Sequence, residues 1–89
     1  MKSSKQEIKI ILWNIAGIKN AKYADNFLEL ADIIILQETW VTKEAQNKTI
    51  KSLNNKYHWW CKAAVKRKNI RGRASGGQFL GIRNSMSKN

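Results

Sequence analysis

Apolar residues along this chain alternate in some stretches and recur every three or four positions in others, and the switch between the two periods marks out the elements. From Ile8 to Asn14, the residues Ile8, Ile10, Leu12 and Asn14 share one face of an extended strand, with Ile11 and Trp13 on the other. Both faces are mostly apolar, which predicts a central strand. Gly17 breaks the alternation, Asn20 is placed to cap the next segment, and Ala24, Phe27, Leu28 and Ala31 return at helical spacing. A short amphipathic helix is expected there. The run Ile33-Ile34-Ile35-Leu36 is β-branched and does not alternate, as suits a strand covered on both faces, and it ends in Gln37-Glu38-Thr39-Trp40.

Thr42 reads as an N-cap, Glu44 suits the positive end of a helix, and Ala45, Thr49, Ile50 and Leu53 form a narrow stripe, predicting a second helix over Lys43 to Leu53. Asn54-Asn55 signals a turn. The aromatic and β-branched residues from Tyr57 to Val65 predict a third strand in which Trp59 and Trp60 face opposite ways. A basic loop over Lys66 to Ser75 follows, then Gly76-Gly77 turning into a fourth strand around Phe79, Leu80 and Ile82. The order strand, helix, strand, helix, strand, strand predicts a mixed α/β sheet, with the first two strands parallel and the last two antiparallel. Two helices leave one face of such a sheet without a cover, so the fold reads as incomplete.

Composition narrows the partners. The chain has 89 residues, enough for one small domain, and its 43% hydrophobic content is too high for a disordered segment. A single cysteine, Cys61, excludes an intrachain disulfide, and the apolar run Ile10 to Trp13 is too short for a signal-peptide core or a membrane span. An intracellular protein is expected, nuclear if expressed, with no membrane partner. Up to Glu44, six lysines balance six acids; from Ala45 to Asn89 there are eleven Lys or Arg and no acid. That asymmetry favours a polyanionic partner over a merely solvated basic face, with Lys66, Arg67, Lys68, Arg71 and Arg73 as candidate contacts to a nucleic-acid backbone.

Asn14 and Glu38 close two successive apolar strands, and polar groups that end neighbouring strands converge at one rim of a sheet. A carboxylate there is a reasonable Mg²⁺ ligand, because that ion takes one or two protein carboxylates and fills its other positions with water and substrate phosphate. Spacing alone leaves open the alternative that both residues are polar simply because the strands there reach water. His58, the only histidine, has Cys61 as its one nearby soft co-ligand, which falls short of a zinc site and favours a structural role.

The residues themselves carry more. Leu12-Trp13-Asn14-Ile15-Ala16-Gly17-Ile18, then Ala31-Asp32-Ile33-Ile34-Ile35-Leu36-Gln37-Glu38-Thr39-Trp40, then Gly72-Arg73-Ala74-Ser75-Gly76-Gly77-Gln78-Phe79-Leu80-Gly81-Ile82 resemble, in order and spacing, the N-terminal motifs of the endonuclease/exonuclease/phosphatase (DNase-I-like) family. The Gln-Glu-Thr-Trp sequence is most like endonuclease domains of non-LTR retrotransposons. The resemblance runs from Ile8 to Arg83 and implies the first part of a DNase-I-like two-sheet α/β sandwich. It also implies a Mg²⁺-dependent phosphodiesterase or endonuclease chemistry on nucleic acid, with DNA as the substrate. It matches Glu38 to the family's Mg²⁺-binding glutamate and Asn14 to the asparagine that helps hold metal and scissile phosphate. Ala16 stands where some members carry an acidic or amide residue. The family's downstream aspartates and Ser-Asp-His segment have no counterpart here, so the expectation is a truncated domain, inactive alone and completed by the missing C-terminal part. Two rival readings stay open: a non-catalytic basic module that binds nucleic acid, and a mobile-element remnant without function.

Overall fold

The two β-branched runs that dominate the first half of the chain lie side by side and parallel. In the computed structural model, which describes residues 7–65 and 74–86, strand β1 (Ile10–Asn14) pairs with β2 (Ile33–Gln37) from Ile10 opposite Ile33 to Asn14 opposite Gln37. On its other edge β2 takes β4 (Gln78–Arg83) antiparallel, and β4 in turn takes β3 (Tyr57–Lys62) antiparallel. The sheet order is β1-β2-β4-β3. This is the mixed four-stranded sheet expected from the sequence, with the central place going to β2 and β4.

Register divides the side chains into two faces. Ile34 and Leu36 of β2, Phe79 and Gly81 of β4, and Trp59 and Cys61 of β3 share one face with Ile11 and Trp13. Ile34, Leu36 and Phe79 are almost fully buried there, packed with Ala21, Leu28, Val41 and Tyr57 and flanked by Ile50 and Leu53. Each such aliphatic or aromatic side chain stabilises the fold by roughly 1.5 to 3 kcal/mol. Gly81 is required by its neighbour, since a Cβ on it would lie 2.6 Å from the Trp59 ring. The opposite face carries Ile10 and Leu12, Ile33 and Ile35, Leu80 and Ile82, and Trp60. Ile10, Leu12 and Trp60 are exposed by 57%, 63% and 47%, which leaves a broad apolar surface uncovered.

Several expectations are corrected. β1 is an edge strand, not a central one: β4 occupies the far side of β2, and no described strand pairs the outer edge of β1. The first helix is one α-helical turn, α1 (Asp25–Leu28), preceded by a 3₁₀ segment (Ile18–Ala24); Leu28 is buried but Phe27 is exposed. Asn20 does not cap it. Its carboxamide Nδ2 donates backward to the carbonyls of Ile15 (2.8 Å) and Ala16 (3.1 Å), tying down the loop after β1. The second helix begins as a 3₁₀ turn (Lys43–Ala45) and continues as α2 (Gln46–Ser52), with no side-chain cap from Thr42. β3 stops at Lys62, because the chain then leaves β4: Thr42 bridges Ala64 and Val65 bridges Ser75. The alternation of Trp59 and Trp60 holds, with Trp59 against Phe79 on the covered face and Trp60 against His58 on the open one. Among the described residues no helix is long and apolar enough to cross a membrane.

Candidate functional site

At the end of the sheet where β1 and β2 finish, the backbone adopts conformations that side chains ordinarily avoid. Ala16, Glu38 and Trp40 have φ of 52°, 56° and 63°, and Gly17, Gly76 and Gly77 are also positive. A left-handed residue with a Cβ costs roughly 1 to 2 kcal/mol, so three together require surrounding structure that fixes them. Backbone hydrogen bonds supply it. The Ile15 N–H donates to Gln37 O (2.9 Å), Gly17 N–H to Glu38 O (2.8 Å) and Ile18 N–H to Thr39 O (2.9 Å). From the other side, Thr39 and Trp40 N–H donate to the carbonyls of Gly77 (3.2 Å) and Gly76 (2.9 Å). Three segments, 15–18, 37–40 and 76–77, are thereby stitched into one rim.

This rim brings together two of the residues singled out in the sequence. Asn14 is exposed and stands opposite Gln37 in the ladder, one position before Glu38. The partly buried Glu38 carboxylate is oriented by its neighbours: Oε1 accepts from the Trp40 indole Nε1 (3.2 Å) and from the Gly76 N–H (3.4 Å). Among the described residues its other oxygen carries no hydrogen bond. Gly77 reaches this position only because it is glycine: a Cβ there would meet the Thr39 hydroxyl at 2.7 Å and the Ala64 backbone nitrogen at 3.3 Å, whereas Gly76 has open space around it and is favoured as glycine only by its φ of 78°. Thr39 itself is buried to 1% exposure with its hydroxyl unpartnered.

Lys66, Arg67, Lys68, Arg71 and Arg73 lie outside the described residues. His58 sits on the open face against Trp60 (ring centroids 4.7 Å apart) and Cys61 on the covered face, so the strand's alternation separates the one possible soft-ligand pair. Burial pushes the Cys61 thiol above its ordinary pKa, toward the inert side. Among the described residues no group of three or more His, Cys, Asp and Glu gathers to hold a metal ion. A Mg²⁺ site needs less than that: one carboxylate with a free oxygen and an exposed amide on the adjoining strand fit an ion that keeps most of its water. The part Trp40 plays in this rim has no signal in the sequence, because its indole reaches Glu38 only through the left-handed turn at Glu38 and Trp40.

Comparison with solved structures gives the geometry its context. The chain matches the catalytic domain of Xenopus laevis APE2 over 88% of its own length at 27% identity, with a TM-score of 0.63. It matches the AP endonuclease LMAP from Leishmania major over 89% at 26% identity, with a TM-score of 0.67. The fold is DNase-I-like. The chain spans about a quarter of the length of those two proteins. No family model matches the sequence, and no curated protein matches it.

Proposed function

We propose that this chain is the part of a Mg²⁺-dependent endonuclease domain that holds the metal and the scissile phosphate of a nucleic acid, with DNA as the substrate. The observation that carries this reading is Glu38. It sits at a rim where three segments converge, in a left-handed conformation its environment fixes, with one carboxylate oxygen anchored and the other open among the described residues. Strained residues cluster at functional sites because structure elsewhere sustains them. Glu38 would hold the ion through its open oxygen, and Asn14 on the neighbouring strand end would hydrogen-bond a phosphate oxygen. When bound, Mg²⁺ supplies Lewis-acid polarisation of the phosphoryl group and stabilises the departing oxygen. The kinship to non-LTR retrotransposon endonucleases rests on Gln37-Glu38-Thr39-Trp40.

Cleavage also needs a group to activate water, and such general acid-base help contributes about 10²- to 10⁴-fold. The only histidine, His58, lies on β3, whose register joins it to Ile82 and thus to the end of β2 opposite Glu38. The chain alone is therefore inactive in this reading. Its open face, with Ile10, Leu12 and Trp60, takes the second layer of the sandwich from further sequence of the same domain. Plasmid nicking in Mg²⁺ tests this: no nicking is expected from the 89 residues alone. Nicking that disappears in Glu38→Ala would show the chain to be sufficient.

A second reading, a basic module that binds nucleic acid without cutting it, is favoured by the eleven basic residues and no acid beyond Glu44. Reversal of Arg67, Lys68, Arg71 and Arg73 to Glu should then abolish binding to DNA. Before reversal, the log of affinity should fall with the log of salt at a slope of about −0.9 per phosphate neutralised.

A further inference from the structure

We infer that Trp40 is a positioning residue for Glu38, selecting which carboxylate oxygen is offered to a divalent cation; this rests on the reading of Glu38 as a cation ligand. Glu38 leaves the end of β2 with φ 56° and Trp40 follows with φ 63°, so the chain doubles back and carries the indole to the carboxylate two residues earlier. Its Nε1–H donates to Oε1 at 3.2 Å, and the Gly76 N–H reaches the same oxygen at 3.4 Å. Two donors on one oxygen orient the carboxylate and favour single-oxygen coordination through Oε2. An ion held by one oxygen keeps its remaining positions for water and phosphate, which is how Mg²⁺ usually binds.

The indole is itself fixed. A Cβ on Gly17 would lie 3.1 Å from both Cε3 and Cζ3 of Trp40, so the ring packs closely on the loop that follows Asn14. Trp40 therefore touches the β1 loop with its ring and the β2 carboxylate with its N–H. Its backbone N–H donates to Gly76 O at 2.9 Å, which binds it to the third segment of the rim as well. Partners that orient a metal ligand typically change affinity by about 10- to 100-fold when removed.

The test is Mn²⁺ binding to the full chain, followed by paramagnetic broadening of the backbone amide signals of Gly17, Thr39, Gly76 and Gly77. Two changes remove the donor: Trp40→Phe, which keeps an aromatic ring, and a benzothienyl side chain at position 40, which keeps the indole shape with sulfur in place of N–H. Glu38→Gln should abolish the localised broadening, and both Trp40 changes should weaken Mn²⁺ binding by about tenfold. With the benzothienyl side chain, the amide shifts without metal should stay as in the parent chain. Parent affinity in that protein, with binding still lost in Glu38→Gln, would overturn the role of Trp40 and leave Glu38 as a ligand. Parent affinity in Glu38→Gln would overturn the ligand reading and this inference with it.

Discussion

The two ends of the sheet are built in opposite ways. At the end where β2 begins, Arg83 Nη2 donates to the carbonyls of Glu29 and Ala31 (2.7 Å to the latter) and to the Tyr57 hydroxyl (3.0 Å), while Nε faces Asp32 Oδ1 at 3.4 Å. The Tyr57 hydroxyl in turn donates to Ala31 O (2.6 Å), and the guanidinium lies 5.1 Å from the Tyr57 ring centroid. Carbonyls left over at the end of α1 are satisfied there, and no described non-glycine residue at that end has a positive φ. At the other end three non-glycine residues are left-handed, and among the described residues a buried hydroxyl has no partner and a carboxylate keeps one oxygen open. The first end has the properties of a structural joint. The second holds conformational strain and unused bonding capacity, which stability alone does not call for.

Damage to the joint should have the largest effect. Arg83→Met should destabilise the fold by about 3 kcal/mol, because it strips a donor from each of two main-chain carbonyls and leaves Asp32 with only the Lys9 N–H on its carboxylate. Chemical denaturation that finds less than 1 kcal/mol would mean the joint is ornamental. Gly77→Ala should cost about 2 kcal/mol, since the new methyl meets the Thr39 hydroxyl and the Ala64 backbone at a residue with φ +90°. An unchanged denaturation midpoint would show that the rim can yield.

At the strained end the cost should be smaller. Glu38→Gly is expected to change stability by less than about 1 kcal/mol, because relief at a left-handed position offsets the hydrogen bonds from Trp40 Nε1 and Gly76 N that are lost with the carboxylate, while localised Mn²⁺ binding disappears. A loss as large as that of Arg83→Met would make Glu38 a structural residue. Thr39→Val should be neutral or stabilising by about 0.5 kcal/mol, because the hydroxyl it replaces is buried and unpartnered. Marked destabilisation would indicate an ordered water or ligand on that hydroxyl.

The smallest effect concerns pH at the joint. The Asn54 carboxamide, which donates to Glu29 Oε2 at 2.7 Å, lowers the Glu29 carboxyl below its ordinary 4.5, with Lys56 assisting. A depressed folded-state pKa gives stability that is present above 4.5 and lost as pH falls through the folded value. Glu29→Gln should therefore flatten the acid limb of the stability curve and change little at neutral pH. An identical acid limb in the variant would remove Glu29 from the account.

Much of the fold was legible because the chain's strands are unusually apolar. Ile33 to Leu36 could only be a buried strand, and the Gly76-Gly77 pair could only be a turn before one. Helical spacing predicts longer helices than form: it puts Phe27 on the apolar stripe, yet Phe27 is exposed, because seven residues of 3₁₀ structure rotate the stripe away from α-helical spacing. Asn20 has the residue type and place of a helix-capping acceptor and is instead a donor to the loop behind it, a polarity that residue type does not encode. Asn14 and Glu38 were legible as strand ends. Trp40 was not, since its role depends on a left-handed turn.

By itself the sequence determined the alternating apolar pattern, hence four strands, the parallel and antiparallel pairings, and the two polar residues that end the first pair. These follow from local period and from which connections are short. Only the tertiary structure decided that β4 inserts between β2 and β3 and leaves β1 at an edge, and that Gly76 reaches across to Glu38. Those outcomes depend on contacts between residues 38 positions apart, and the free energy that fixes them, burial of Ile34, Leu36 and Phe79 together with the rim hydrogen bonds, exists only once the sheet has closed.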